Sequence, residues 1–177
     1  GLFLYLNSNK LGITLAPEKP TGRKIFRELV KQADVLVENN PPRQMEELGL
    51  DYTSLREINP RLIMTSITPF GQTGPYRDRK GYDVNAIHGG GLAYITPQAE
   101  EELHREPLKP GGTQAYFQAA LNAAVGTMGA VVQRLLTGRG QHVDISVQES
   151  IAAILETNVV FYTYQGVVRT RFAPFII

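Results

Sequence analysis

Cysteine is absent from the 177 residues, which excludes disulfides and thiolate metal sites and makes a reducing cytoplasm the simplest compartment. Histidine is scarce: His88, His104 and His142 show no metal-ligand spacing, so no metal is expected. An excess of charge is missing too. Eighteen basic residues face seventeen acidic ones, leaving no broad electrostatic footprint for nucleic acid or an anionic membrane, and neither is expected as a partner. Any anion must then be held locally. No run of about 18 apolar residues occurs, and the opening GLFLYL is too short and lacks the basic flank of a signal peptide. There is no G-x-S-x-G elbow, internal repeat or low-complexity segment. One further gap matters below: no Asp or Glu occurs between Glu106 and Asp144.

What is present fits one ordinary globular domain, with 42% hydrophobic and 20% charged residues. The chain starts without Met in an apolar, strand-like run and stops at another, FAPFII (172 to 177). Both ends read as cut from something larger. Between them, short aliphatic runs alternate with helical stretches, the pattern of parallel βαβ units. After LGITL (11 to 15), Ile25, Phe26, Leu29 and Val30 predict one apolar helix face within Pro20 to Gln32, leading into DVLVEN (34 to 39), a strand suited to burial on both faces. Pro42 to Leu48 predicts a short helix capped by Gly49, and Asp51 can N-cap the next turn. RLIMTSIT (61 to 68) predicts a second strand and HVDISV (142 to 147) a third. Helices are expected over 83 to 95, over Thr113 to Leu136 with burial on several sides, and over Gln148 to Gln165 up to Gly166, with a polar loop at 98 to 112.

The motifs are weak singly. TGRGQ (137 to 141) follows a helix and precedes a strand, the reverse of a phosphate loop, and reads as a structural turn. Gly89, Gly90 and Gly91 fit close backbone packing better than a dinucleotide fingerprint. Arg77, Arg79 and Lys80 form a cationic cluster beside Tyr82 on a loop leaving a predicted strand, where α/β sheets bind ligands.

Together, NSNKLGITL (7 to 15), ADVLVEN (33 to 39), LGLDYTSLREINPRLI (48 to 63), ITPFGQTGP (67 to 75), GYDVN (81 to 85) and TGRGQHVDISVQES (137 to 150) resemble the class III CoA-transferase family, which includes formyl-CoA transferase, carnitine CoA-transferase and α-methylacyl-CoA racemase. The resemblance implies an α/β fold: a Rossmann-like parallel sheet flanked by helices, part of the large domain of an interlocked-dimer enzyme. Residues 1–177 would be a partial large domain, without the family's first βα segment or its small domain. It also implies coenzyme A or acyl-CoA as substrate, a carboxylic acid as the other reactant, and a homologous subunit in a hetero-oligomer or homodimer. Carried over by position, Asn39 contacts the CoA nucleotide, Leu15 lines the adenine side, and Lys80, Tyr82 and Asp83 stand beside the pantetheine and the catalytic centre. Where the family supplies an Arg before its Leu-Gly pair this chain has Glu47, which would repel a phosphate, and Arg43 is the candidate replacement. Tyr82 stands where the racemase branch has a His, which favours the transferase branch.

In the transferases an Asp opening the long helix attacks the acyl-CoA thioester, giving a mixed anhydride and then an enzyme-bound CoA thioester. That chemistry demands a carboxylate. Here the position falls on Ala115 or Tyr116, neither of which can supply one, and no catalytic residue is assigned. Gln114 is far less nucleophilic, Tyr116 would need a strongly lowered pKa, and Glu102 and Glu106 lie in a polar loop. The sequence thus predicts the non-nucleophilic subunit of a heteromeric CoA-transferase. The alternative is a non-catalytic CoA- or acyl-CoA-binding homologue with a structural or regulatory role.

Overall fold

Three short, β-branched runs build the sheet that positions everything else. A computed structural model describes residues 1–96 and 104–171. In it, β1 (Val35–Glu38), β2 (Ile63–Thr68) and β3 (His142–Ser146) pair in parallel in that order. The register sets Glu38 opposite Ser66 and Ser66 opposite Asp144, so these three polar residues share one row of the sheet.

Helices cover both faces, as parallel sheets require. In chain order they are α1 (Leu2–Leu6), α2 (Pro20–Gln32), α3 (Pro42–Leu48), α4 (Tyr52–Ile58), α5 (Asp83–Gly89), α6 (Gln114–Thr137), α7 (Val147–Ala153) and α8 (Glu156–Gln165), with a 3-10 turn at Ala93–Ile95. One core joins Val30, Met45, Leu50 and Leu55 to Leu62 and Met64, placing α2, α3 and α4 on one face. The other joins Ala86, Ile87, Ala115, Ala119, Val147 and Ile151, placing α5, α6 and α7 opposite.

The expected local signals operate. Gly49 caps α3 at φ 63°, and Asp51 accepts from the Ser54 backbone N–H (3.1 Å) and hydroxyl (2.7 Å) at the start of α4. TGRGQ is a helix-to-strand turn: Gly138 ends α6 at φ 73°, and a Cβ on Gly140 would lie 1.9 Å from the Leu62 carbonyl oxygen. The glycine triplet packs closely, since a Cβ on Gly90 would lie 2.6 Å from Ile151 Cγ2.

Several expectations are corrected. GLFLYL is the exposed helix α1, not a strand, and LGITL takes no regular structure, with Leu11 and Ile13 exposed. β1 is not buried on both faces, because Val37 is exposed. The segment 83 to 95 divides after Gly89 into α5 and the 3-10 turn, and 148 to 165 divides at Ile154 and Leu155, where hydrogen bonds tighten to i→i−3. Residues 98 to 103 of the polar loop, Glu102 among them, and FAPFII at 172 to 177 lie outside the described residues.

The long helix α6 differs most. It is buried on one side only, through Ala115, Ala119, Ala123 and Ala130, whose small side chains let it lie close on β2 and β3. Thr127 there hydrogen-bonds Thr65 of β2 at 2.7 Å. Arg134 anchors its far end: Nη1 donates to the carbonyls of Asp34 (3.0 Å) and Arg61 (3.2 Å). The opposite face exposes Leu121, Val125, Met128, Val132 and Leu136. Although no unbroken apolar run occurs, α6 is by length and composition long and apolar enough to cross a membrane; in this fold its alanine face lies on the sheet.

Candidate functional site

The carboxyl ends of the strands and the loop after β2 enclose two adjoining cavities. The first, about 450 Å³, is lined by Asn39, Pro41, Pro42, Arg43, Pro69 and the stretch from Arg77 to Tyr82. The second, about 430 Å³, is lined by Val37, Glu38, Asn39, Ile67, Pro69, Gly81, Tyr116 and Val147. Asn39, Pro69 and Gly81 belong to both and form the wall between a cationic chamber and a largely apolar one. A groove of similar volume runs along α2, past Arg23, Lys24 and Arg27, and shares no lining residue with either cavity.

The loop is held rigidly. Gly71 and Gly74 take positive φ (83° and 85°), and Asp144 of β3 accepts from the Gln72 N–H at 2.9 Å. Phe70 packs edge-on against Tyr76, and the Arg79 guanidinium lies 4.6 Å from the Tyr76 ring centroid. Gly81 has no room for a side chain, since a Cβ would meet Pro69 at 2.6 Å and the Phe70 ring at 2.9 Å.

Four cations face one carboxylate around the first cavity, and they are not equivalent. Arg43 is paired with Asp78 at 2.7 Å; this contact raises the Arg43 pKa and lowers that of Asp78. Arg77 is paired with Glu46. Lys80 has no ion-pair partner among the described residues and is the cation most available to an anionic ligand.

The structure brings Asn39, Arg43, Lys80 and Tyr82 together on the first cavity. It separates two other expected site residues from them. Leu15 is half-buried in the irregular segment before α2 and lines neither cavity. Asp83 is buried and turned towards the start of α6, where it accepts the Ala115 N–H at 2.9 Å and lies 3.0 Å from Lys109 Nζ. Glu47 is exposed on α3 and lines neither cavity.

Burial distinguishes the two candidate positions at the start of α6. Ala115 is 0% exposed and faces the core, whereas Tyr116 is 40% exposed and lines the second cavity beside Asn39. Of the two, Tyr116 is the residue that faces the cavity. Glu38 and Pro69 line the same site, and neither was singled out from the sequence; the only signal for them was their place at predicted strand ends.

A smaller polar cavity of about 210 Å³ lies across the sheet end, bounded by Glu38, Asp51, Tyr52, Ser66 and His142. His142 stacks on Tyr52 (5.5 Å) and its Nε2 pairs with Ser66 Oγ at 2.9 Å. Burial lowers the His142 pKa, against the opposing pull of Asp144, Glu38 and Asp51. Among the described residues no group of three or more His, Cys, Asp or Glu could hold a metal.

Residues 1–174 match the profile of CoA-transferase family III. The chain belongs to that family. It is 39% identical over 170 residues to the Chloroflexus aurantiacus protein named succinyl-CoA–L-malate CoA-transferase beta subunit, covering 96% of this chain and 41% of the relative. It is 36% identical over 167 residues to the Thauera aromatica succinyl-CoA:(R)-benzylsuccinate CoA-transferase subunit BbsE, covering 94% of this chain and 40% of that one. The fold is similar to the crystal structure of a CAIB/BAIF family protein from Brucella suis, with TM-score 0.84 and 37% identity over 91% of this chain and 42% of the other. This family III chain thus spans about two fifths of the length of these relatives.

Proposed function

We propose that the chain is part of a CoA-transferase that moves CoA between carboxylic acids, and that it is the subunit that does not supply the nucleophile. One observation carries this reading: at the start of α6 the residue facing the strand-end cavities is Tyr116, not a carboxylate. The first cavity takes the anionic and polar part of acyl-CoA, with Lys80 and Arg43 as charge partners, Asn39 as a hydrogen-bonding wall and Tyr82 beside them. The thioester end reaches the apolar chamber beside Tyr116.

The transferred group needs a carboxylate from another chain. Its oxygen attacks the thioester carbonyl, the C–S bond breaks, and CoA leaves as thiolate, so that a mixed anhydride remains. The thiolate then reopens the anhydride at the enzyme's own carbonyl, releasing the first acid and leaving an enzyme CoA thioester for the acceptor carboxylate. Two relatives carry subunit designations in their names, which supports an assembly of unlike chains. On this reading residues 1–177 are a large part of one Rossmann-like domain of such a subunit.

Purification from the native host tests the reading. Co-isolation of a homologous chain with Asp at this helix start, and CoA exchange by the pair but not by this chain, are expected. CoA exchange by a homodimer of this chain would overturn it. CoA binding with no such partner would favour the regulatory homologue, for which the Tyr at position 116 is the supporting observation.

A further inference from the structure

Glu38 is a buried carboxylate for which the proposed chemistry has no use. It ends β1 at 8% exposure, yet its bonds run into the loop that carries the ligand-facing residues. Oε2 accepts the Asn40 backbone N–H at 2.7 Å and the Asn40 side-chain amide at 3.2 Å. The same amide approaches Met45 Sδ of α3 at 3.5 Å. Oε1 is enclosed and accepts nothing from the described residues, so the carboxylate's hydrogen bonding is committed to Asn40.

A strand that ends freely lets the next residues sample many conformations; a carboxylate tied to the N–H two residues on fixes the turn. Asn39 lies inside that turn and lines both cavities, and the chain leaves it through Pro41 and Pro42 into Arg43. The carboxamide of Asn39 has no hydrogen bond of its own among the described residues, so the backbone alone sets its direction. Pro41 and Pro42 stiffen the exit, leaving Asn39 and Asn40 as the residues that need an external tie.

We propose that Glu38 is a positioning residue for CoA binding: it acts through Asn40 to hold Asn39 at the wall between the two chambers. This rests on the reading of those chambers as an acyl-CoA site. Calorimetric titration of CoA into the intact protein tests it, using E38A, E38Q, N39A and the double variant E38A/N39A. E38A and N39A each weaken CoA about tenfold, the double variant is no weaker than N39A within a factor of two, and E38Q stays within twofold of wild type because its amide oxygen still accepts the Asn40 N–H. Hydrogen exchange at the Asn40 amide, which needs no ligand, quickens in E38A and not in E38Q.

A merely structural Glu38 would lower the melting temperature of E38A and leave the folded protein's CoA affinity unchanged; that result overturns the proposal. Additive losses in the double variant overturn it as well. If wild type takes up no CoA, the acyl-CoA reading of the chambers falls and this proposal with it, whereas normal binding by E38A sinks this proposal alone.

Discussion

Placing a carboxylate at either of the two candidate positions on α6 separates them sharply. The Ala115 N–H donates to Asp83 Oδ1 at 2.9 Å and Ala115 is 0% exposed, so an Ala115→Asp carboxylate enters the core beside an existing acid. Two like charges about 5 Å apart at an effective dielectric near 20 repel by about 3 kcal/mol; Lys109, 3.0 Å from Asp83, offsets part of this, and the desolvation of a new buried carboxylate adds to it. At about 2–4 °C per kcal/mol for a chain of this size, A115D lowers the melting temperature by roughly 6–12 °C or more. Tyr116→Asp loses part of a half-exposed ring, about 1 kcal/mol, and gains a few tenths from an acid in the first helical turn, so its melting temperature shifts by only a few degrees. Differential scanning calorimetry on both variants measures the contrast. If A115D melts with wild type while Y116D collapses, the assignment of Ala115 to the core and Tyr116 to the cavity is wrong. Mass spectrometry after incubation with acyl-CoA extends the comparison, because Y116D alone is expected to form an acyl-enzyme adduct.

Gly140→Ala drives a methyl group onto the Leu62 carbonyl oxygen and must shift either the turn or β2; a loss above about 2 kcal/mol is expected in urea unfolding, and a loss below 0.5 would contradict the geometry. His142 has its folded pKa below the ordinary 6.5, so as pH falls through 6.5 the unfolded chain takes up the proton first and stability drops. Unfolding at pH 7.5 and 5.5 should show wild type losing more stability than His142→Gln, and parallel losses would refute the assignment. Asp78→Asn releases Arg43 at an exposed ion pair, leaving stability close to wild type while CoA affinity rises severalfold at low salt. A fall in affinity would mean that Asp78 orients Arg43 for the ligand. Lys80→Ala removes a cavity cation that has neither an ion-pair partner among the described residues nor the aromatic contact that holds Arg79, and weakens CoA about tenfold, equal to about 1.4 kcal/mol; unchanged affinity would move the phosphate site elsewhere.

Much of the fold could be read from residue pattern because the signals were local. Asp51 and Gly49 announce their caps, and the three strand runs carry the β-branched content of a covered parallel sheet. The misreadings arose where burial depends on what lies across space. α6 has the composition of a helix enclosed on several sides, yet only its alanine stripe meets the sheet. Asp83 sits in a motif that reads as a site loop; in the structure it accepts an N–H at a helix start more than thirty residues away and lines neither cavity. The choice between Ala115 and Tyr116 was closed to sequence for the same reason: adjacent helical residues differ by about 100° in direction, and only the packed partner says which faces the cavity.

The charges at the strand ends answer the doubt raised by Glu47. A glutamate would oppose a phosphate if it stood in the cavity, but Glu47 is exposed on α3 and lines neither chamber. Glu46, its neighbour, takes Arg77 as a partner, and Asp78 takes Arg43. Each acid therefore acts by occupying an arginine rather than by repelling the ligand directly. What remains for an anion is Lys80, the arginine faces left after pairing, and Arg79, which is laid over Tyr76. On the proposed reading, CoA affinity then depends on Lys80 and on how well Asn39 and the loop of Gly71 to Gly81 hold their shape.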